Sequence, residues 1–301
     1  MEKISIAIVN WNTGKLLAQC LNSIVKLPEQ ELLGSVVVID NASTDTSLTQ
    51  AQPIAHNNPS ISIVRSGENL GFARANNSAI KRIQKENPSH HILLLNPDTE
   101  MKPGSLRAMH AALTTHKDVG IVGPKLLNQD GTTQPSVRTF PSFTILAALF
   151  LKLPRIFPNL TLWNTYMCTD FDYTKEQVVD QVMGASFCIR NQVLTDIGLL
   201  DTRFWIWFEE VDFALRAKQK GWKTLFTPTG EVVHFGGASF HQLIGFKKSL
   251  PFINSALIYA SKHFSLIEVI GLYALTPLAF LLVLPAVFAH KAKQAQTTKQ
   301  L

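Results

Sequence analysis

His90–Glu100 reads HHILLLNPDTE. Its four consecutive apolar residues, Ile92 to Leu95, are too few for an independent helix and suit a strand buried on both faces. Asn96-Pro97-Asp98 ends the run, because proline removes a ladder donor and turns the chain out of a sheet. Asp98 is therefore expected at the carboxyl end of a central strand, the edge at which open α/β sheets bind ligands. Two roles are open to it there. It is either a hard oxygen ligand for a divalent cation held against a diphosphate, or the cap of a turn that needs no metal.

Working outward, Ile4–Val9 (ISIAIV), Val36–Ile39 and Ile61–Val64 repeat the buried-strand signal. Leu16, Leu17, Cys20, Leu21, Ile24 and Val25 recur at helical spacing after Thr13, and further helices are expected over 72–86 and 103–115. Strand and helix alternate four times in about 115 residues, which predicts a doubly wound, mainly parallel sheet with helices on both faces. The first turn, NWNTGK, lacks the glycines of a dinucleotide fingerprint and the spacer of a Walker loop. Instead Asn10-Trp11-Asn12, Asp40 and Asp98 punctuate three strand ends, and in a parallel sheet those ends share one edge.

Further on, residues 178–189 read as a strand region broken at Gly184-Ala185, and Asn191–Ile197 as a short helix. The aromatic run Phe204–Phe208 leads into Glu209-Glu210-Val211-Asp212 and a helix ending at Gly221. Like charges and burial raise the pKa of one member of such an acidic cluster, which suits a general base. The bland alternative is acid placed favourably on a helix N-terminus.

Composition narrows the partners. The chain is 301 residues long with a formal charge of +6, 46% hydrophobic residues and mean hydropathy +0.10. From Phe240 onward six lysines face one glutamate, so the preceding residues are nearly neutral. That balance argues against a nucleic-acid groove and points the basic, apolar tail at an anionic membrane surface. Three widely spaced cysteines, Cys20, Cys168 and Cys188, fit a reducing compartment and no zinc site. No secretory signal precedes the first strand, so the N-terminal domain is expected in the cytoplasm.

ISIAIVNWNT, VVVIDNASTD, NLGFARANN, LLLNPDT, MGASFCIR, FEEVDFALRAKQKGW and VVHFGGAS occur in this order. Together they resemble the family 2 glycosyltransferases of the GT-A fold, nearest the bacterial rhamnosyltransferase-like branch, over about residues 3–240. The resemblance implies a GT-A domain over 1–240. Its nucleotide-sugar half would be 1–125, its acceptor half 178–240, and an apolar insertion would occupy 140–177. A membrane-associated helical tail would follow over 241–301.

For the site, the resemblance implies donor contacts from Asn10, Trp11, Asp40, Gly71, Asn76 and Asn96. Trp11 would stack on the base and Asp40 would accept from its imide N–H, the alternatives being a core-anchoring Trp and an Asx-turn Asp. Asn96-Pro97-Asp98 corresponds to the DxD element with Asn in the first place. Asp98 and His234 would hold Mg²⁺ or Mn²⁺, and Glu210 would stand at the base position, normally Asp. The implied reaction is inverting transfer from a nucleotide sugar, dTDP-rhamnose first and UDP-galactofuranose as runner-up. The acceptor would be a polyprenyl-linked saccharide at the cytoplasmic face of the inner membrane. A catalytically silent nucleotide-sugar-binding scaffold is the rival, motivated by Asn96 and Glu210.

Two apolar stretches remain. Leu266–Ala289 is long enough to cross a bilayer, but Pro277, Pro285 and basic flanks on both sides favour a broken helix or re-entrant hairpin in the inner leaflet. Phe143–Leu160, interrupted by Lys152, Pro154 and Arg155, either meets lipid as an amphipathic surface helix or covers the core.

Overall fold

The computed structural model describes residues 2–236 and 246–282. The first half alternates β1 (Ile4–Asn10), α1 (Leu16–Val25), β2 (Leu33–Asp40), α2 (Ser47–His56), β3 (Ile61–Arg65), α3 (Gly71–Glu86) and β4 (His91–Leu95). Then come β5 (Thr99–Met101), α4 (Ser105–Thr115), β6 (Val119–Leu127) and β7 (Val137–Arg138). Three helices follow, α5 (Phe143–Phe150), α6 (Leu153–Ile156) and α7 (Thr161–Met167). Next are β8 (Gln177–Val179), β9 (Gln181–Val182), β10 (Ser186–Ile189) and α8 (Asn191–Ile197). The described chain closes with α9 (Glu209–Gln219), β11 (Lys223–His234), α10 (Phe246–His263) and α11 (Leu266–Leu281).

The main sheet runs β3-β2-β1-β4-β10-β6-β11-β5, with β8 on β11. β3, β2, β1, β4, β6 and β11 share one direction, while β10, β5 and β8 run against them. The sheet is thus mainly parallel, with β10 reversed between β4 and β6. That reversal starts β10 at the edge where β4 ends, since Ser186 pairs with Leu95. Successive residues of β1 feed opposite layers, as strand periodicity requires. Ile4, Ile6 and Ile8 pack with Leu17 and Leu21 of α1 and Leu106 and Met109 of α4. Ala7 and Val9 pack with Ala79, Ile80 and Ile83 of α3 and Phe213 of α9.

Three elements escape a reading by periodicity. α2 is polar and carries Pro53. β6 contains Gly120, Gly123 and Pro124, which look like breakers. Gly123 is needed there because a Cβ on it would sit 2.6 Å from the Val182 side chain. β11 passes Pro228 and Gly230 within a register shift between Thr227 and Glu231, the place where a strand tolerates such residues.

A third apolar cluster joins Leu146 and Phe150 of α5, Tyr259 of α10 and Leu272 and Ala279 of α11 to Phe204, Phe208 and Val211. A division at residue 240 therefore falls between elements that share a core. Asp212, fully buried, reinforces the joint: it pairs with Arg216 at 2.9 Å, Lys262 at 2.6 Å and His263 at 2.8 Å.

The described part of the 266–289 stretch ends at residue 282. α11 has 16 residues, about 24 Å of rise, and no helix among the described residues is long and apolar enough to cross a membrane. The remainder of the 266–289 stretch, which a hairpin would need, lies outside the described residues. For Phe143–Leu160 the core-covering alternative describes the first part. α5 buries Ile145, Leu146, Ala148 and Phe150, whereas Ile156, Phe157 and Leu160 stand exposed.

Candidate active site

A cavity of about 350 Å³ opens at the carboxyl edge of β1 and β4. Its lining includes Trp11, Gly71, Asn96, Asp98, Glu210 and His234, six of the nine residues expected at a site. Sheet register explains the convergence. β4 delivers Asn96 and Asp98, whose segment is held by Asn96 N donating to Ala185 O at 2.9 Å. β5 then returns antiparallel to β11, pairing Thr99 with His234, and Phe235 N donates to Asp98 O at 2.9 Å. Two residues 136 positions apart in sequence thus become neighbours through one short hairpin-like return.

His234 Nε2 lies 3.6 Å from Asp98 Oδ1, buried and without a hydrogen bond. Its tautomer follows from the far side of the ring. Gln134 Nε2 donates to Asn128 Oδ1 at 3.0 Å and to His234 O at 3.3 Å, which leaves Gln134 Oε1, 2.8 Å from Nδ1, as acceptor. Nδ1 therefore carries a proton, and in the neutral ring the Nε2 lone pair faces a carboxylate oxygen. Two acceptors aimed at one another suit a shared cation. Among the described residues no group of three or more His, Cys, Asp or Glu side chains forms an all-protein cage. A pair of ligands fits a hard cation that completes its shell with phosphate oxygens and water.

Opposite stand Glu209 and Glu210 at the start of α9. Burial and the Glu210 charge push Glu209 well above the usual carboxylate range. Burial raises Glu210 too, but hydrogen bonds from the backbone N–H groups of Glu210, Val211 and Gly184 oppose the rise. The pair therefore titrates as one unit whose proton is held above the usual carboxylate range, and the backbone N–H groups favour charge on Glu210. Each carboxyl retains one buried oxygen, Oε2, without a hydrogen bond. The turn before them is strained, with φ of 64° at Trp207 and 67° at Phe208, a region bulky side chains avoid. Packing of Trp207 and Phe208 on Phe252, and of Phe208 on Tyr259, holds that turn in place.

Three expected donor contacts stand outside the cavity lining. Asn10 is fully buried and clamps the loop after β2, its Nδ2 donating to Asp40 Oδ1 at 2.9 Å and to Ser43 and Ser47 Oγ at 3.0 Å. Asp40 accepts that bond and one from Ser43 N, three residues on, at 3.2 Å, so its carboxylate braces the loop after β2. Asn76 turns its amide back on Phe72 O within α3. Other lining residues were not among the expected contacts. Asn41 joins the end of β2 to the start of α3 through Asn69 and the Leu70 N–H. Trp205 closes over Gly71, and Phe72 N donates to its carbonyl at 2.7 Å.

That contact makes Gly71 irreplaceable. A Cβ there would lie 2.6 Å from both Trp205 Cδ1 and Trp205 O, and φ is +75°. Gly71→Ala is expected to destabilise the fold by about 1–3 kcal/mol, read from the urea midpoint. An unchanged midpoint would show that Trp205 yields freely.

The profile of Glycosyl transferase family 2 matches residues 5–182, more than half of the chain. The chain belongs to that family. This family 2 glycosyltransferase is 26% identical over 240 residues to an N-acetylglucosaminyl-diphospho-decaprenol L-rhamnosyltransferase of Mycobacterium tuberculosis, covering 77% of this chain and 76% of that one. Its fold is similar to that of a mannosyltransferase from Pyrobaculum calidifontis solved with GDP-Man and Mn²⁺. There the TM-score is 0.57 at 16% identity, over 96% of this chain and 75% of that one. GalNAc-T7 solved with UDP, GalNAc and Mn²⁺ gives a TM-score of 0.58 at 18% identity, over 78% of this chain and 44% of that one. These likenesses support a GT-A-like mixed α/β fold. The cysteines are free, and burial pushes the thiols of Cys20 and Cys188 up to about 12, which leaves both unreactive.

Proposed function

We propose that this glycosyltransferase moves a sugar, L-rhamnose from dTDP-rhamnose, with inversion onto a lipid-linked saccharide acceptor. The observation that carries the reading is a single cavity lined both by facing acceptors, Asp98 and His234, and by a buried carboxyl pair at a helix start. The mycobacterial relative is named for rhamnosyl transfer to a diphospho-decaprenol, which supports the donor and acceptor class. UDP-galactofuranose is the competing donor, because sugar choice depends on pocket shape.

Asp98 and His234 would hold a divalent cation, Mg²⁺ or Mn²⁺. Such a cation neutralises charge on a nucleoside diphosphate leaving group. Glu210 accepts the proton of the acceptor hydroxyl, and that oxygen attacks the anomeric carbon on the face away from the diphosphate. Burial beside Glu209 disfavours two charges on the pair, which makes Glu210 the stronger proton acceptor once ionised. Trp11, Trp205 and Trp207 offer flat apolar faces to base and sugar rings and exclude water. Asn10 and Asp40 act indirectly, by shaping the loop from 40 to 47 that borders the Trp11 turn.

A thermal-shift panel of nucleotide sugars, with and without Mn²⁺, tests this directly. Donor that binds only the folded state raises the melting midpoint. dTDP-rhamnose with Mn²⁺ is expected to give the largest shift, and Asp98→Ala to weaken it by about tenfold or more in apparent affinity. A metal-independent shift that survives Asp98→Ala would remove the cation from the account. Binding without turnover on any acceptor would favour the scaffold.

A further inference from the structure

We propose that the exposed faces of α6–α7 and α11 form one platform that docks on the surface of an anionic lipid bilayer. The proposal rests on the lipid-linked acceptor class given above and names the surface that meets the acceptor's membrane.

α11 is apolar on both sides. Leu272 and Ala279 are buried inward, and Gly271 runs so close to α5 that a Cβ on it would be 3.1 Å from the Phe143 ring. Outward stand Leu266, Ile267, Ile270, Tyr273, Leu278 and Leu281, with Ile267 82% and Leu266 74% exposed. A helix apolar all round is stable only when a second apolar medium covers its outer side. Its one acid, Glu268, is spent at the N-terminus, accepting from Ser265 N at 2.9 Å and Ser265 Oγ at 2.7 Å. At about 24 Å it is too short to cross, so it is suited to lie in the plane of an interface.

α6–α7 has the same character. Ile156, Phe157, Leu160 and Leu162 are exposed beside Lys152 and Arg155. No acidic residue occurs between Asp130 and Asp170, while Arg138, Lys152 and Arg155 do. Charge therefore decides the occupant: on α6 the exposed Arg155 and half-buried Lys152 stand among exposed apolar groups with no acid near them in sequence, which matches anionic headgroups over acyl chains, while α11 supplies apolar area alone. α5 joins the two surfaces, since it runs straight into α6 and packs beneath α11.

The underside of α11 and α5 packs against the segment that walls the cavity. Leu146, Phe150, Leu272 and Ala279 share a cluster with Phe204, Phe208 and Val211, the segment that carries Trp205, Trp207 and Glu210. Ser255 of α10 adds a bond to Ile206 O at 2.7 Å. A docked platform therefore holds the base's own turn close to the bilayer.

Flotation of the full chain with phosphatidylcholine vesicles, with and without phosphatidylglycerol, tests the docking. The protein is expected to float with phosphatidylglycerol vesicles, and Ile156→Glu/Phe157→Glu and Ile267→Glu/Ile270→Glu each to weaken this about tenfold or more. Turnover on a short water-soluble acceptor should be unchanged, since these side chains point away from the core. Equal flotation on uncharged vesicles, or variants that float like the parent, would overturn the proposal. So would a soluble oligomer that the same variants dissociate, which would make a second copy the occupant. Lost flotation with intact turnover sinks docking alone, and flotation without turnover on any acceptor sinks the transfer reaction alone.

Discussion

Glu210→Gln is expected to lower sugar transfer by about 10²- to 10⁴-fold, the usual worth of a positioned general base. The substitution keeps the shape of the side chain and removes its ability to take a proton, so folding should be undisturbed. A thermal midpoint at or slightly above the parent's is expected, because one of two adjacent buried carboxyls no longer carries charge. The pH profile supplies a second readout. Burial raises Glu210 above the ordinary glutamate range of about 4.3, and a base works only when ionised. Activity of the parent should therefore rise with pH along a limb displaced upward from that range, and the variant should lack the limb. Release of nucleoside diphosphate, measured against pH, checks both statements. Turnover within a few-fold of the parent would place the base elsewhere in the cavity.

Asp212→Asn should be the most damaging substitution for stability. The side chain is fully buried and answers two cations, Arg216 and Lys262, and a hydrogen bond with His263, from two helices. Taking away one partner of a buried ion pair leaves the others uncompensated, at a cost of about 3–5 kcal/mol. Burial by itself would raise this carboxyl. Hydrogen bonds from His263 and Lys262 and the Arg216 charge outweigh it, and the pKa is held below its ordinary value. A depressed folded-state pKa means that the contribution is present above the unfolded value, about 3.9, and is lost as pH falls through the folded value. Urea unfolding of the parent should therefore show a loss on acidification below the ordinary aspartate range, and the Asp212→Asn curve should lack that component. A variant as stable as the parent at neutral pH would mean that α10 is held to α9 by the aromatic cluster alone.

His91–Leu95 and the first strand were readable because their patterns are local: unbroken apolar runs closed by polar or proline turns. Alternation of such runs with helical spacing was enough to predict a doubly wound sheet, and the strand ends at Trp11 and Asp98 marked the correct edge of it. The motifs around Gly71, Asn96, Glu210 and His234 carried the family resemblance. β6 and β11 were illegible for the opposite reason. Their glycines and prolines answer to packing partners, Val182 for Gly123 and the Thr227–Glu231 bulge for Gly230, that no local window contains.

What the amino-acid order determined by itself was the first, parallel half of the sheet, the edge at which its strands end and the chemical types gathered there. The tertiary structure decided which of those groups face one another. Asp98 and His234 meet only because β5 doubles back onto β11, and the His234 proton is placed by Gln134, 100 residues away. Asn10 and Asp40, alike in sequence to cavity residues, stand behind its lining and bond to each other. Strand and turn propensities act over a few residues and survive in any window of the chain. Facing, burial and proton placement depend on register between distant strands, and they exist only once the sheet has closed.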